Sequence, residues 1–232
     1  MLPPIIINTR VFDMIHALIS ELDQYHLLTH PFYQMWTKGA LSQEVIRDYA
    51  KQYYHHVDAF PRYISAIHTQ CNNIEDRQIL LGNLMDEELG EDNHPALWLK
   101  FAEALGAQKE EVKGSTLYTE TKRLIDGFFN LARKSYAYGL GALFAYERQV
   151  PEVAKSKIEG LRAHYKISSK EGLHFFEVHI SADEWHSTEC AGLIESLPEE
   201  GQQEARQGAI EAAKLLYAFL DGVMHNNDLK CE

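Results

Sequence analysis

Apolar residues recur at spacings of three and four along most of this chain, the period of an α-helix with one buried face. The pattern predicts helices over residues 11–28, about 42–71, 74–90, 95–105, 116–134, 136–165, 171–197 and 199–225. Ser42 is placed to cap the second of these, although Val45 stands where a full capping box would carry an acid. Pro61 should kink or split that helix, and Pro151 marks a further break. Gly90, Gly106 and Gly114 suit helix ends. No alternating β-branched run and no hairpin dipeptide between such runs is present. The expectation is one all-α domain over residues 1–232, a bundle of seven or eight helices with an extension at 1–10 and a tail at 226–232.

Composition narrows the class without naming it. The chain has 232 residues, 45% hydrophobic and 24% charged, enough for a sizeable core. With 22 Lys and Arg against 34 Asp and Glu the net charge is −12, which disfavours non-specific binding to nucleic acid or to anionic lipid. No apolar run approaches a spanning helix, and the MLPPIII start has too short an apolar stretch for a secretory signal. Cys71, Cys190 and Cys231 form no disulfide framework, so a reducing, cytoplasmic setting is expected. Twelve histidines and twelve tyrosines are the departure from an ordinary helical protein.

Three local patterns could carry chemistry. In His179-Ile-Ser-Ala-Asp183-Glu-Trp-His186, positions i, i+4 and i+7 fall within roughly 60° on a helix, so two imidazoles and a carboxylate share a face. Such a set suits iron, manganese or zinc, and equally a solvated polar face. The run from Asp86 to His94 holds too many acids for spacing to choose among them. Glu91 and His94 have the Glu-x-x-His spacing of ferritin-like bundles, and Glu87 and His94 could also share a face; an acidic helix end facing water is the plain alternative. Glu147 closes the apolar stretch 137–146 and needs a partner there, either a distant Arg or Lys or a metal. Together these supply three imidazoles and at least three carboxylates from three helices, about what a dinuclear site in a bundle requires. Around them cluster Tyr33, Tyr49, Tyr53, Tyr54, Tyr63 and Tyr146 with His55 and His56, as core packing or as phenols near a redox centre. Lys155 and Lys157, read alone, are solvated helix charges.

At these residues the chain resembles the TenA/PqqC-like, haem-oxygenase-like helical proteins, and within them the group of the chlamydial protein associating with death domains. The resemblance is carried by His30-Pro-Phe-Tyr33-Gln-Met-Trp36, by residues 49–68 and 83–98, by Tyr146-Glu-Arg-Gln-Val-Pro151 through Lys157-Ile-Glu-Gly160, and by 179–186. It implies metal ligation by Glu87, His94, Glu147, His179, Asp183 and His186. It also implies a sacrificial role for Tyr33, a required Lys157, and Tyr49 and Tyr146 beside the metals. Phe175 stands where the chlamydial relative carries a tyrosine.

The implied activity is synthesis of para-aminobenzoate for folate, with the ring taken from the enzyme's own tyrosine. Its implied cofactor is a di-iron or iron–manganese centre, with dioxygen as co-substrate and an external reductant. Two other classes stay open: a TenA-like enzyme on a diffusible small molecule, and a host-protein-binding module. Neither Cys71 nor Cys190 matches the cysteine nucleophile of many TenA enzymes, and no motif for death-domain binding is present. No nucleic-acid or membrane partner is expected, and a homodimer stays open.

Overall fold

The computed structural model describes residues 9–230; the Pro3-Pro4-Ile5-Ile6-Ile7 start and Cys231 lie outside the described residues. In chain order the helices are α1 (Thr9–Leu22), α2 (Pro31–Thr37), α3 (Gln43–Gln70), α4 (Ile74–Glu88), α5 (His94–Ala104), α6 (Lys109–Lys113), α7 (Thr119–Lys134), α8 (Tyr136–Glu147), α9 (Val150–His164), α10 (Lys170–Ser196) and α11 (Glu199–Asn226). No strand occurs among the described residues, so the all-α expectation holds. Nor is any described helix long and apolar enough to cross a membrane.

Eleven α-helices among the described residues replace the seven or eight expected, and the extra ones have identifiable causes. The first predicted helix stops at Leu22, and two 3-10 turns, Asp23–Tyr25 and Leu27–Thr29, lead into α2. Histidines make the caps here: the His26 ring accepts from Leu28 N–H (3.3 Å) and the His30 ring from Phe32 N–H (3.1 Å). Imidazole is not a usual N-cap, so this punctuation was invisible to a search for Ser, Thr, Asp or Asn. Pro151 starts α9 within its first turn, where its missing N–H costs nothing, and so divides the predicted 136–165 helix. Pro61, by contrast, leaves α3 unsplit. Ser42 caps α3 as expected, its hydroxyl accepting from Val45 N–H at 3.3 Å.

Two close approaches place the functional elements. Every residue of α8 from Ala137 to Glu147 is buried. A Cβ on Gly141 would lie 1.9 Å from the Ala205 carbonyl oxygen of α11, so here two backbones touch. This contact carries the end of α8, with Tyr146 and Glu147, into the interior. On the other side Trp36 of α2 lies over Gly160 of α9, where a Cβ would come within 2.6 Å of the indole. The Trp36 indole N–H donates to the Lys157 carbonyl at 3.4 Å. Docked in this way, α2 brings Tyr33 beside Lys157.

Candidate metal centre and phenol relay

Helices α4, α5, α8 and α10 carry six buried polar groups: Glu87, His94, Glu147, His179, Asp183 and His186. Three of them converge. Glu87, His94 and His179 each offer a ligand atom within 4.8 Å of the others. His94 Nδ1 lies 2.7 Å from Glu87 Oε2, yet the pair lacks hydrogen-bond geometry and Nδ1 has no other partner. Two lone-pair donors pressed together without a shared hydrogen are what a common cation accommodates. The His94 and His179 rings stand 4.2 Å apart between centroids. His179 Nδ1–H donates to the Phe175 carbonyl at 2.5 Å, which fixes the tautomer and leaves Nε2 as the ligand nitrogen. Burial, and then the neighbouring His94, push the His179 pKa far down, so the ring is neutral.

Glu147, Asp183 and His186 share this field, but no second trio closes to the same spacing among the described residues. Glu147 accepts from Asn83 Nδ2 at 2.7 Å; neither Arg nor Lys pairs with it, and the adjacent Arg148 reaches away to Asp23 at 2.6 Å. The His186 ring is held through Nε2 by Asp86 Oδ2 at 3.1 Å. Glu91, the acid favoured by ferritin-like spacing, is exposed, whereas Glu87 is buried against His94.

The residues fit a metal on their own chemistry. Glu147 Oε2, Asp183 Oδ2, His94 Nδ1 and His186 Nδ1 are buried without a hydrogen bond. Each such atom costs roughly 1–3 kcal/mol, and native proteins keep few of them. Three buried acids lie together with no Lys or Arg to balance them, so a cation would meet every one of these deficits at once. Without one Asp183 and Glu147 hold protons: burial foremost raises the Asp183 pKa well above its ordinary value and Glu147 to about 8.

This protonation has a measurable consequence. A raised folded-state pKa means the folded chain keeps a proton that the unfolded chain has lost. Stability from Glu147 is therefore present near pH 4.5 and is lost as pH climbs to about 8. In chelator-treated protein, Glu147→Gln should gain on wild type across that window by on the order of 5 kcal/mol at most, from about 1.4 kcal/mol per pKa unit. Urea unfolding at pH 5 and pH 8.5 checks this, and an unchanged difference between the two would contradict a protonated, buried Glu147.

Next to these groups lies a chain of phenols. Lys157 Nζ donates to Tyr49 Oη at 2.8 Å, and Tyr49 Oη lies 3.0 Å from Tyr33 Oη. Tyr53 donates to Tyr146 at 3.1 Å. Lys157 is 4% exposed, which overturns the solvated reading of this helix lysine. Its ammonium nitrogen stands 5.1–5.5 Å from the ring centres of Tyr33, Tyr49, Tyr53, Trp98 and Phe176. No carboxylate compensates, and burial brings its pKa down to about 7. Burial likewise raises the phenols of Tyr33, Tyr49 and Tyr146, so all three keep their protons. Tyr33 packs on Phe32 and Trp36, while Phe60 packs instead on Tyr146.

Tyr33, Tyr53, Tyr146, Lys157, Phe175 and His179 line one cavity of about 20 Å³, which joins the relay to the histidine cluster. A larger groove of about 460 Å³ lies between α7 and α11 and holds none of these residues. Sequence reasoning passed over Tyr53 as a site residue, and Asn83 and Asp86 as supports. Tyr53 was detectable, one turn after Tyr49 on the same face of α3; Asn83 and Asp86 are set only by the packing of α4 on α8 and α10.

Comparison with known proteins agrees with this architecture. Residues 47–217 match the haem-oxygenase-like family model described as an iron-containing redox enzyme. The chain is 39% identical over 219 residues to the 4-aminobenzoate synthase of Chlamydia muridarum, covering 94% of this chain and 92% of that one. It is 40% identical over 227 residues to the 4-aminobenzoate synthase of Nitrosomonas europaea, covering 92% of both. Among solved structures, a TenA homologue from Pseudomonas syringae superposes with a TM-score of 0.77 at 19% identity, covering 91% of this chain and 93% of that one. A CADD-like protein of unknown function from Nostoc punctiforme gives 0.77 at 19% identity, covering 94% and 99%. These two structures speak to the fold, and the match to the family model and to the synthases goes further: the chain belongs to the haem-oxygenase-like family of iron-containing redox enzymes.

Proposed function

We propose that this protein is a 4-aminobenzoate synthase that takes the aromatic ring from its own Tyr33, once per chain, for folate synthesis. Glu87, His94, Glu147, His179, Asp183 and His186 would hold a di-iron or iron–manganese pair. When bound, such a centre supplies the activation of dioxygen, with electrons from an external reductant. The remaining work belongs to the chain. Oxidation of a phenol requires its proton to leave. Tyr33 can pass that proton to Tyr49 Oη, and Tyr49 can pass its own to Lys157 Nζ when the amine is neutral. The Tyr33 ring carries its Cβ already attached as the future carboxyl carbon, and a neutral Lys157 amine is a nitrogen nucleophile beside it. The aromatic walls keep water from these groups.

The observation that carries this reading is the size of the cavity. About 20 Å³ leaves room for a water or a dioxygen molecule beside Tyr33 and His179. The aromatic ring already in place there is the protein's own, which favours Tyr33 over a diffusible aromatic substrate. The names of the Chlamydia and Nitrosomonas relatives support the product.

Protein grown with ring-labelled tyrosine, then given iron, manganese, reductant and dioxygen, should release labelled 4-aminobenzoate at no more than one per chain. Peptide mass spectrometry should show the side chain lost at position 33. Tyr33→Phe should release none. Multiple turnovers on an added precursor, or equal label from Tyr33→Phe, would end the reading.

A further inference from the structure

All five large apolar side chains that stand exposed among the described residues lie on two adjoining helices. Ile74, Leu81, Met85 and Leu89 run along α4 and its C-cap, and Trp185 lies on α10; their exposures run from 44% at Leu81 to 63% at Trp185. The two helices meet where Asp86 holds His186. The neighbours of that pair in sequence, Met85 and Trp185, face water. Gly82 and Gly192, inside the same helices, are also exposed, and a Cβ at either would meet nothing within 4 Å. A helix-interior glycine costs about 1 kcal/mol against alanine. No contact within the chain calls for it at these positions, whereas a flat surface that another molecule approaches does. An apolar concentration of this kind marks a contact site on an otherwise polar surface.

The rim gives the partner its sign. On α4 and the turn after it Glu75, Asp86, Glu88 and Glu91 are exposed and Asp76 is half-buried, with Arg77 the single cation, and α10 beyond Trp185 adds Glu189 and Glu195 with no Lys or Arg. A second copy of the chain would bring the same charges to the face and be repelled. A partner with a basic rim around an apolar centre is matched.

The site beneath the face says what such a partner would bring. Glu87, His94, His179 and His186 are buried, and the cavity beside them is too small to admit a molecular reductant. Electrons need only proximity, and α4 and α10 carry this face on the same turns that carry Glu87 and His186. We infer that the α4–α10 face docks a basic electron-carrier protein. The carrier would give up one electron per encounter to an iron centre held by residues such as Glu87 and His186, with no atom or proton transferred. This inference rests on the iron centre proposed above. Carrier encounters are brief, with interfaces below about 1,200 Å², and they depend on electrostatic steering.

Zinc-substituted cytochrome c is a suitable probe, being a basic carrier whose photoexcited state donates one electron. Its binding to metal-free protein can be followed by calorimetry, and the quenching of its excited state by the iron-loaded protein by flash photolysis. Binding should weaken about tenfold in Glu75→Lys/Glu88→Lys and in Met85→Ser/Trp185→Ser at low ionic strength, with quenching by iron-loaded protein falling in parallel. High salt should abolish the effect of the charge variant. Glu120→Lys/Glu211→Lys, on the far groove, should match wild type. Equal loss from the far-groove variant, no loss from either face variant, or a wild-type dimer that Met85→Ser/Trp185→Ser dissociates would overturn the inference. Failure of the iron centre would read differently: face-dependent binding would persist in metal-free protein while added iron produced no extra quenching.

Discussion

Replacing His179 by Ala should leave the protein without bound iron at concentrations that load the wild type. His179 contributes one of the three ligand atoms that already converge, and its tautomer is fixed by the Phe175 carbonyl. Loss of an outer partner alone typically weakens metal binding about 10–100-fold, and loss of the ligand itself should exceed that. Two readouts check the result. Elemental analysis should give about two metals per wild-type chain and near none for His179→Ala. Added iron should raise the unfolding temperature of wild type, as any ligand of the native state does, and leave the variant unchanged. His186→Ala should retain about one ion, because His186 lies outside the converged trio. Glu91→Gln should behave as wild type, since Glu91 faces water. Full occupancy in His179→Ala would sink the ligand assignment.

Lys157→Arg should abolish 4-aminobenzoate formation while the metal content stays at the wild-type level. The two cations differ where it counts. A lysine with its pKa brought to about 7 is substantially a free amine near neutrality, whereas a guanidinium stays charged and is not nucleophilic there. A guanidinium is also larger than the ammonium that the aromatic box encloses, so Lys157→Met is the partner experiment. It keeps the unbranched shape and removes a buried charge, so it should be at least as stable as wild type and still make no product. Activity in wild type should fall as pH drops below about 7 and the amine takes up a proton. Wild-type yield from either variant would reduce Lys157 to a packing residue.

The histidine and acid motifs were legible because a helix converts spacing into direction, as at 179, 183 and 186 on α10. What spacing could not do was choose between Glu87 and Glu91. Both lie near His94, and only the turn from α4 through Gly90, at φ 81°, into α5 puts Glu87 inside and Glu91 in water. Lys157 shows the same limit from the other side. One lysine on an amphipathic helix looks like any other until α2 and α3 lay aromatic rings around it. The fold was readable wherever caps were conventional, as at Ser42, and unreadable between residues 23 and 37, where histidine rings do the capping.

Tyr33 is at once part of the core and, in the proposed reaction, the material consumed. It is 2% exposed and packed on Phe32, Trp36 and the Lys157 ammonium. A chain that has surrendered this ring is left with a ring-sized hole, and truncations of buried aromatics cost about 3–5 kcal/mol. Much of the stability of an ordinary domain is of that size. On that reading use would mark the molecule: a spent chain would unfold more readily than a fresh one and be open to proteases that act on unfolded chains. The supply of product would then be tied to the rate at which new chains are made, and a burnt-out catalyst would not accumulate beside its replacements.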